Sequence, residues 1–339
     1  MTRHLAALLA VLGTTVAAAG AGAETDIRLT LDWKFQGPTA AFIVAEEKGY
    51  YEEEGLDVSI DSGNGSAGAV TRVASGAYQM GFADINALVE FRVENPDQAP
   101  KAVMMLYDAP PFGVYALKGS GIESPADIEG RTLGAPVFDA SYKLFPAFAH
   151  EAGIDADAVP RVNMDPPLRE AMLVRGDVDL ISGHYFSSKL DLMSKGVPEE
   201  DIVVMLYADY GMDFYGNAVI AGAAFMEENP DAVAAFNRAT VRGLKDVIAD
   251  PEAAVEMVAG YDPLIDKALE LERLQMALET NILTPHVKEA GFGDVERERM
   301  ASAIDQLADA LDLATKPTVD EIWTGQFLPP PEERMIGTK

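Results

Sequence analysis

Trp33, Lys34, Phe35 and Gln36 stand together where the chain has finished an apolar, strand-like run and has not yet begun a helix. An indole, a primary amine and a carboxamide in one turn suit recognition of a small molecule. The indole offers a flat apolar face and one N–H, the amine a charge, and the amide both a donor and an acceptor. Trp33 either faces such a molecule or packs as a structural tryptophan, and Lys34 either pairs with an anion or is solvated. A second group lies in Ser62-Gly63-Asn64-Gly65-Ser66-Ala67, a glycine-rich turn entering a helix. Its backbone N–H groups and the Ser66 hydroxyl could receive a carbonyl or an anion, with Asn64 beside them. An ordinary strand-to-helix connection would read the same way. The turn lacks the Gly-Lys-Ser/Thr ending of a nucleotide loop, so phosphate hydrolysis is not indicated.

Other candidates sit at strand ends. Asp84 and Asn86 follow an apolar run, where Asp84 either accepts from a ligand or caps the next helix. Tyr107, Asp108 and Phe112 cluster at one turn in the chain's course, and Tyr210, Asp213, Phe214, Tyr215 and Asn217 crowd another. Asp139-Ala140-Ser141-Tyr142 and Gly183-His184-Tyr185 each end a strand and open a helix. Ser141 could donate to a ligand acceptor, and His184 is either a neutral hydrogen-bonded imidazole or a contact. The pocket's sign stays open: Lys34 and the glycine turn argue for an anion, Asp84, Asp108, Asp139 and Asp213 for a cation or a donor. Catalytic sets are missing. The histidines, His4, His150, His184 and His286, show no metal spacing, no Gly-x-Ser-x-Gly elbow occurs, and there is no cysteine. Neither a metal nor another cofactor is expected.

These residues need elements to hold them. Ile27, Leu29 and Leu31 alternate as a strand does, Gly37-Pro38 breaks the run, and a helix carrying Phe42 to Ala45 ends near Gly49 before the strand Val58-Ser59-Ile60. The pattern continues with a helix at 67–75, strands at 78–82 and 101–107, and a strand at 112–118 that crosses out of the first unit past a hinge at 108–111. A second α/β unit follows, with strands at 132–137, 160–164, 178–182 and 202–207 and helices at 141–151 and 167–175. The strand 217–221 crosses back. Asn229-Pro230-Asp231 and Asp250-Pro251 open helices expected to pad the first unit. Strands alternating with helices predict mainly parallel sheets, whose ligands bind beyond the strands' carboxyl ends, here in a cleft between two units.

Composition sets further limits. Of 339 residues, 48% are hydrophobic, enough for two packed cores. The net charge of −29 makes nucleic acid an unsuitable partner, although it does not set the sign of a pocket. Arg3, the apolar run Leu5 to Leu12 and Ala21-Gly22-Ala23 read as an export signal over residues 1–23, too short for the about 20 residues that span a bilayer. A periplasmic monomer without stable membrane insertion is the expectation.

The segments LDWKFQGPTAAFIVAEEKGYYEEEGLDV and RVASGAYQMGFADINALVEF resemble the substrate-binding proteins of ABC importers. The resemblance is to the group that includes the nitrate, sulfonate and thiamine-pyrimidine receptors. ESPADIEGRTLGAP, MLVRGDVDLISGHY and NPDAVAAFNRATVRGL extend it along the chain. It implies a two-lobe, type II-like periplasmic binding fold with a two-crossover hinge. Lobe 1 would comprise 24–110 plus 217–339, and lobe 2 would comprise 111–216. It implies a receptor that hands a small organic molecule to an ABC permease and ATPase complex. The alternatives are a ligand carrier for a sensory system or a secreted carboxylate-based lyase or hydrolase. In the pyrimidine-binding members the tryptophan of LDW lies against the ligand, which implies that role for Trp33 with Tyr185 closing opposite. Phe35 and Gln36 depart from the Pro-Asn type of sequence common there. The pyrimidine-synthesis enzymes that look like this family rely on a cysteine-rich motif, and this chain has no cysteine.

Overall fold

The computed structural model of the chain describes residues 24–337. The export signal expected at 1–23 lies outside the described residues, within which no helix is long and apolar enough to cross a membrane.

Two sheets of five strands organise the molecule. The first is built from β1 (Thr25–Thr30), β2 (Leu56–Asp61), β3 (Met80–Asp84) and β4 (Lys101–Met105), and the second from β5 (Phe112–Leu117), β6 (Leu133–Ala135), β7 (Arg161–Asn163), β8 (Leu180–His184) and β9 (Ile202–Leu206). β10 (Asn217–Ala221) returns to the first. The orders are β2-β1-β3-β10-β4 and β7-β6-β8-β5-β9. Burial follows position in the sheet. Edge strand β2 alternates, with Leu56, Val58 and Ile60 inward and Asp57 and Ser59 outward, whereas the inner strands β3 and β10 are buried at every residue. In each sheet one strand runs against the rest. β10 is antiparallel to β3 and β4, and β5 to β8 and β9. These are the two strands that follow the crossovers, so among the described residues the strands pass from one sheet to the other only between β4 and β5 and between β9 and β10.

Three sequence expectations shift. The helix expected at 141–151 is two pieces, Ala140–Lys143 and Phe145–Ala152, because Pro146 in the first turn of the second has no N–H with which to continue the first. β3 and β8 end two residues later than expected, which puts Asp84 and His184 on strands. The C-terminal helices do more than pad the first sheet: Pro230–Ala249 packs on Ala40–Glu47, whereas Lys267–Ala277 packs on Tyr185–Ser194 and Arg297–Ala310 on Phe145–Ala152, both of the second lobe. They bridge the lobes because their apolar stripes are shared, with Met300, Ile304 and Leu307 in the same core as Phe145 and Phe148.

Candidate functional site

β1 and β2 lie side by side, so the turn after β1 and the glycine turn after β2 meet. The Gly63 and Gly65 N–H groups donate to the carbonyls of Trp33 (2.8 Å) and Asp32 (2.6 Å), and Ala67 N–H to Phe138 O across the cleft (3.3 Å). These donors are therefore engaged by backbone and are not open to an anion. Both glycines are required by close approach: a Cβ at Gly63 would sit 2.1 Å from Leu31 O, and one at Gly65, at φ 144°, 2.2 Å from Phe138 O.

The packing leaves Asp32 buried under the turn. Its Oδ2 accepts from Asn217 Nδ2 at 2.7 Å and from Ser66 Oγ at 3.1 Å. Burial pushes its carboxyl up to about 6 despite both hydrogen bonds. Trp33 lies beside it, half-buried, with its Nε1 shielded from solvent and without a partner among the described residues. From the second lobe, Arg169 sits with its guanidinium 5.1 Å from the centre of the indole. Only 2% of that side chain is exposed, and it is held by Glu170 (2.7 Å) and Asp139 (3.3 Å). Burial opposes its charge, and these carboxylates more than compensate, so its pKa rises. Asp139, raised by burial against the pull of Arg169, also caps the helix Ala140–Lys143 through Tyr142 N–H at 3.0 Å. Burial, then the charge of Arg169, drives His184 down to about 3, which keeps its imidazole neutral. Tyr107 and Phe186 complete an aromatic wall, edge to face at 5.7 Å across the crossover.

These groups face a closed cleft lined from both lobes, with about 20 Å³ of free space, room for about one water. Of the sequence candidates it brings together Trp33, Gln36, Ser66, Asp139 and His184, with Lys34 at the rim. Gln36 bridges the lobes, accepting from Ser187 Oγ at 2.9 Å. Asn217 supports the wall from behind through Asp32. The remaining candidates stand elsewhere. Phe35 packs against Tyr261 at 5.1 Å, and Asn64 is exposed. Asn86 bonds Asp84 (2.8 Å) and Tyr215 O (3.0 Å). Asp108 accepts from Thr284, Tyr215 accepts from Glu296 N–H at 2.8 Å, and Tyr142 lies under Arg161 at 5.7 Å. Ser141 is buried with its carbonyl bonded by Tyr207, and Tyr185 carries Lys189 over its ring at 5.2 Å, so neither lines the cavity.

Asp84 is a helix cap: it accepts from Asn86 N–H and Ala87 N–H, each at 3.3 Å, at the start of Ile85–Glu94. Burial raises its carboxyl from 3.8 to about 8, against the hydrogen bonds from Asn86 and Ala87. A carboxyl raised on folding contributes stability below its unfolded value, and that contribution is lost as pH rises through the folded one. Asp84→Asn, which keeps an acceptor for the cap, is therefore expected to be more stable than the parent at about pH 9 and to lose that advantage near about pH 4. Asp84→Ala loses the cap as well, so it should fall below the Asn variant by about 0.5–2 kcal/mol at either pH. Urea denaturation of the variants decides this, and equal stability of the Asn variant and the parent at both pH values would contradict it.

Sequence reasoning missed Asp32, Arg169, Phe186 and Ser187. Asp32 had a signal, an acidic residue inside an otherwise apolar strand end. Arg169 had another: a cation in the first turn of a helix opposes the helix dipole and so must answer to something else.

Comparison with known proteins agrees with this architecture. An alkanesulfonate-binding protein, SsuA from Xanthomonas axonopodis pv. citri bound to MOPS, superposes with a TM-score of 0.70 at 12% identity, covering 89% of this chain and 99% of that one. That likeness is one of fold, the periplasmic-binding-protein fold. A formylaminopyrimidine-binding protein of Halalkalibacterium halodurans is 28% identical over 319 residues, 92% of this chain and 93% of that protein. A 4-amino-5-hydroxymethyl-2-methylpyrimidine phosphate synthase of Aspergillus parasiticus is 27% identical over 249 residues, 70% of this chain and 71% of the enzyme. The family model described as NMT1/THI5 like matches residues 37–254, well over half of the chain, and the protein belongs to that family.

Proposed function

We propose that the chain is a periplasmic solute-binding protein that holds one small, flat, polar organic molecule between its lobes and delivers it unchanged to an ABC permease and its ATPase. One observation carries this reading. Among the described residues the buried indole N–H of Trp33 has no protein partner, and Trp33 lines the cavity together with Asp32, whose side-chain hydrogen bonds fall on Oδ2 alone. A donor and an acceptor side by side against an aromatic wall suit a ligand with the reverse pair on a planar frame. In this reading a ligand donor goes to Asp32 and a ligand acceptor to Trp33. The lobes part to admit it, the Tyr107–Phe186 wall covers one face, and Gln36, Ser66, Asp139 and His184 select its polar edge. The aminopyrimidine named for the Halalkalibacterium relative is of that class. Residues 24–110 with 217–339, and 111–216, would move as two bodies about the crossovers, with 1–23 removed on export.

Native mass spectrometry of the protein purified from periplasm identifies the occupant, and calorimetry with a formylaminopyrimidine measures its affinity. A receptor returns the compound intact on denaturation. Conversion of the compound would instead favour the synthase-like reading that the Aspergillus relative represents. Trp33→Ala is expected to weaken binding by about 1–3 kcal/mol with little change in melting temperature. Unchanged affinity with a large loss of stability would make Trp33 a packing residue.

A further inference from the structure

Arg273, on the helix Lys267–Ala277, is among the most deeply buried side chains of the molecule, and it does not line the cavity. Every nitrogen of its guanidinium is engaged. Nε donates to both oxygens of Glu270 at 3.1 Å. Nη1 donates to Phe186 O (2.9 Å), Ser187 O (3.1 Å) and Ser187 Oγ (3.2 Å), and Nη2 to Asp191 Oδ1 (2.7 Å). These acceptors fall into two sets. Phe186, Ser187 and Asp191 belong to the helix Tyr185–Ser194 that follows β8 in the second sheet. Glu270 is instead tied to the first lobe, its Oε2 accepting from Gly37 N–H at 2.7 Å.

Two further bonds close the circuit. Asp191 Oδ2 accepts from Lys34 Nζ at 3.3 Å, and Ser187 Oγ donates to Gln36 Oε1 at 2.9 Å. Lys34 and Gln36 are the first-lobe lip of the cavity, and Phe186 and Ser187 its second-lobe wall. One guanidinium therefore ties together three segments that are far apart in sequence, and two of the residues it holds, Phe186 and Ser187, are cavity lining. Parting the two helices would take from Arg273 the carbonyls, the hydroxyl and the Asp191 carboxylate, leaving only Glu270. Outside this circuit, the interlobe ion pairs among the described residues, Lys143 with Glu90 at 3.3 Å and Arg299 with Asp213 at 3.0 Å, each have a partner at least 41% exposed and are of the solvated kind that contributes little.

We propose that Arg273 is a positioning residue for ligand capture: a clasp, made wholly of protein groups, that brings Phe186 and Ser187 into register with Lys34 and Gln36 whether or not a molecule is bound. A buried ion pair of this type is weak as a source of stability and strong as a constraint on geometry, because its fixed fork of donors fits one arrangement of acceptors. The clasp itself does not depend on the cavity being a ligand site. Only the second of its two tests rests on that reading.

The absence of cysteine gives a clean first test. Spin labels on Ser62→Cys and Leu168→Cys, exposed positions on opposite lobes, report the interlobe distance by pulsed electron resonance. Without added ligand the parent should show a narrow short-distance population. Arg273→Met should convert most of it to longer distances, Arg273→Lys should retain part of it, and Asp191→Asn should resemble Arg273→Lys. A purely structural role would lower the melting temperature of Arg273→Met and leave its distances unchanged, which would overturn the proposal. So would long distances in the unliganded parent. If Arg273→Met does not fold, Arg273→Lys and Asp191→Asn decide by the same criterion. In the second test, stopped-flow release of a formylaminopyrimidine should be about tenfold faster or more in Arg273→Lys, with Trp33 and Asp32 untouched. If the compound does not bind the parent, the reading of the cavity fails while the distance measurement still stands or falls alone.

Discussion

Arg169→Met is expected to lower the stability of the ligand-free protein by about 3–5 kcal/mol. The guanidinium lies between Glu170 and Asp139, whose side chains are 4% and 6% exposed, and its loss leaves two buried carboxylates facing each other without a cation. The sign of the pH dependence follows. Buried carboxylates stripped of their partner take up protons more readily, so the variant gains stability as pH falls, and its deficit against the parent narrows toward about pH 5. Replacing the trio together, Arg169→Met with Asp139→Asn and Glu170→Gln, should recover much of the loss, since the cost comes from the uncompensated charges and not from a missing attraction. Guanidinium chloride denaturation at about pH 5 and about pH 8 measures both effects. A loss of under about 1 kcal/mol, equal at the two pH values, would mean that solvent reaches this ion pair and that the second-lobe wall is softer than its burial indicates.

The order of strands and helices was largely readable because it rests on local signals. Alternation marks β2, Pro230 and Pro251 open helices where Asn229 and Asp250 precede them, and the glycine turn at 62–66 joins a strand to a helix. The crossovers were readable for the same reason, since Asp108 to Pro111 and Tyr210 to Gly216 interrupt apolar runs. The cavity was only half readable, and the difference is instructive. Strand-end residues such as Trp33, Asp139 and His184 are placed by their own element, so position along the strand is enough. Whether Asp84 or Asp32 faces the cavity depends on which neighbour claims each carboxylate. Asp84 is claimed by the N–H groups of its own following helix, whereas Asp32 is reached by Asn217, far along the chain and paired in register with Asp84 on the adjacent strand. Arg169 and Arg273 each have a second partner on another element, Asp139 for the one and Asp191 for the other, and no local pattern announces those pairings. The glycine turn misled for a related reason. The Gly63 and Gly65 N–H groups that an anion would need are already taken by the chain's own carbonyls, from Trp33 and Asp32.

On binding, the largest expected effect belongs to Asp32. Asp32→Asn keeps the shape and the acceptor for Asn217 and Ser66 but removes the charge that a ligand donor would meet. Affinity for a formylaminopyrimidine, measured by calorimetry near neutral pH, is expected to fall by about 2–5 kcal/mol if the donor carries positive charge, and by about 1–2 kcal/mol if it is neutral. With its carboxyl pushed up to about 6 by burial, the parent should also lose affinity as pH falls below that value, because a proton then occupies the acceptor. The Asn variant should show no such slope. Stability without ligand should move the other way. A carboxyl raised on folding contributes stability below the unfolded value of 3.8 that is lost as pH rises through about 6, so Asp32→Asn should be more stable than the parent at about pH 8 and no better near about pH 4. Weaker binding together with greater stability is the mark of a residue kept charged and buried for its ligand. If the variant instead binds as the parent does and unfolds more easily at about pH 8, Asp32 is a structural link between β1 and β10, and recognition rests on Trp33 and the second-lobe wall.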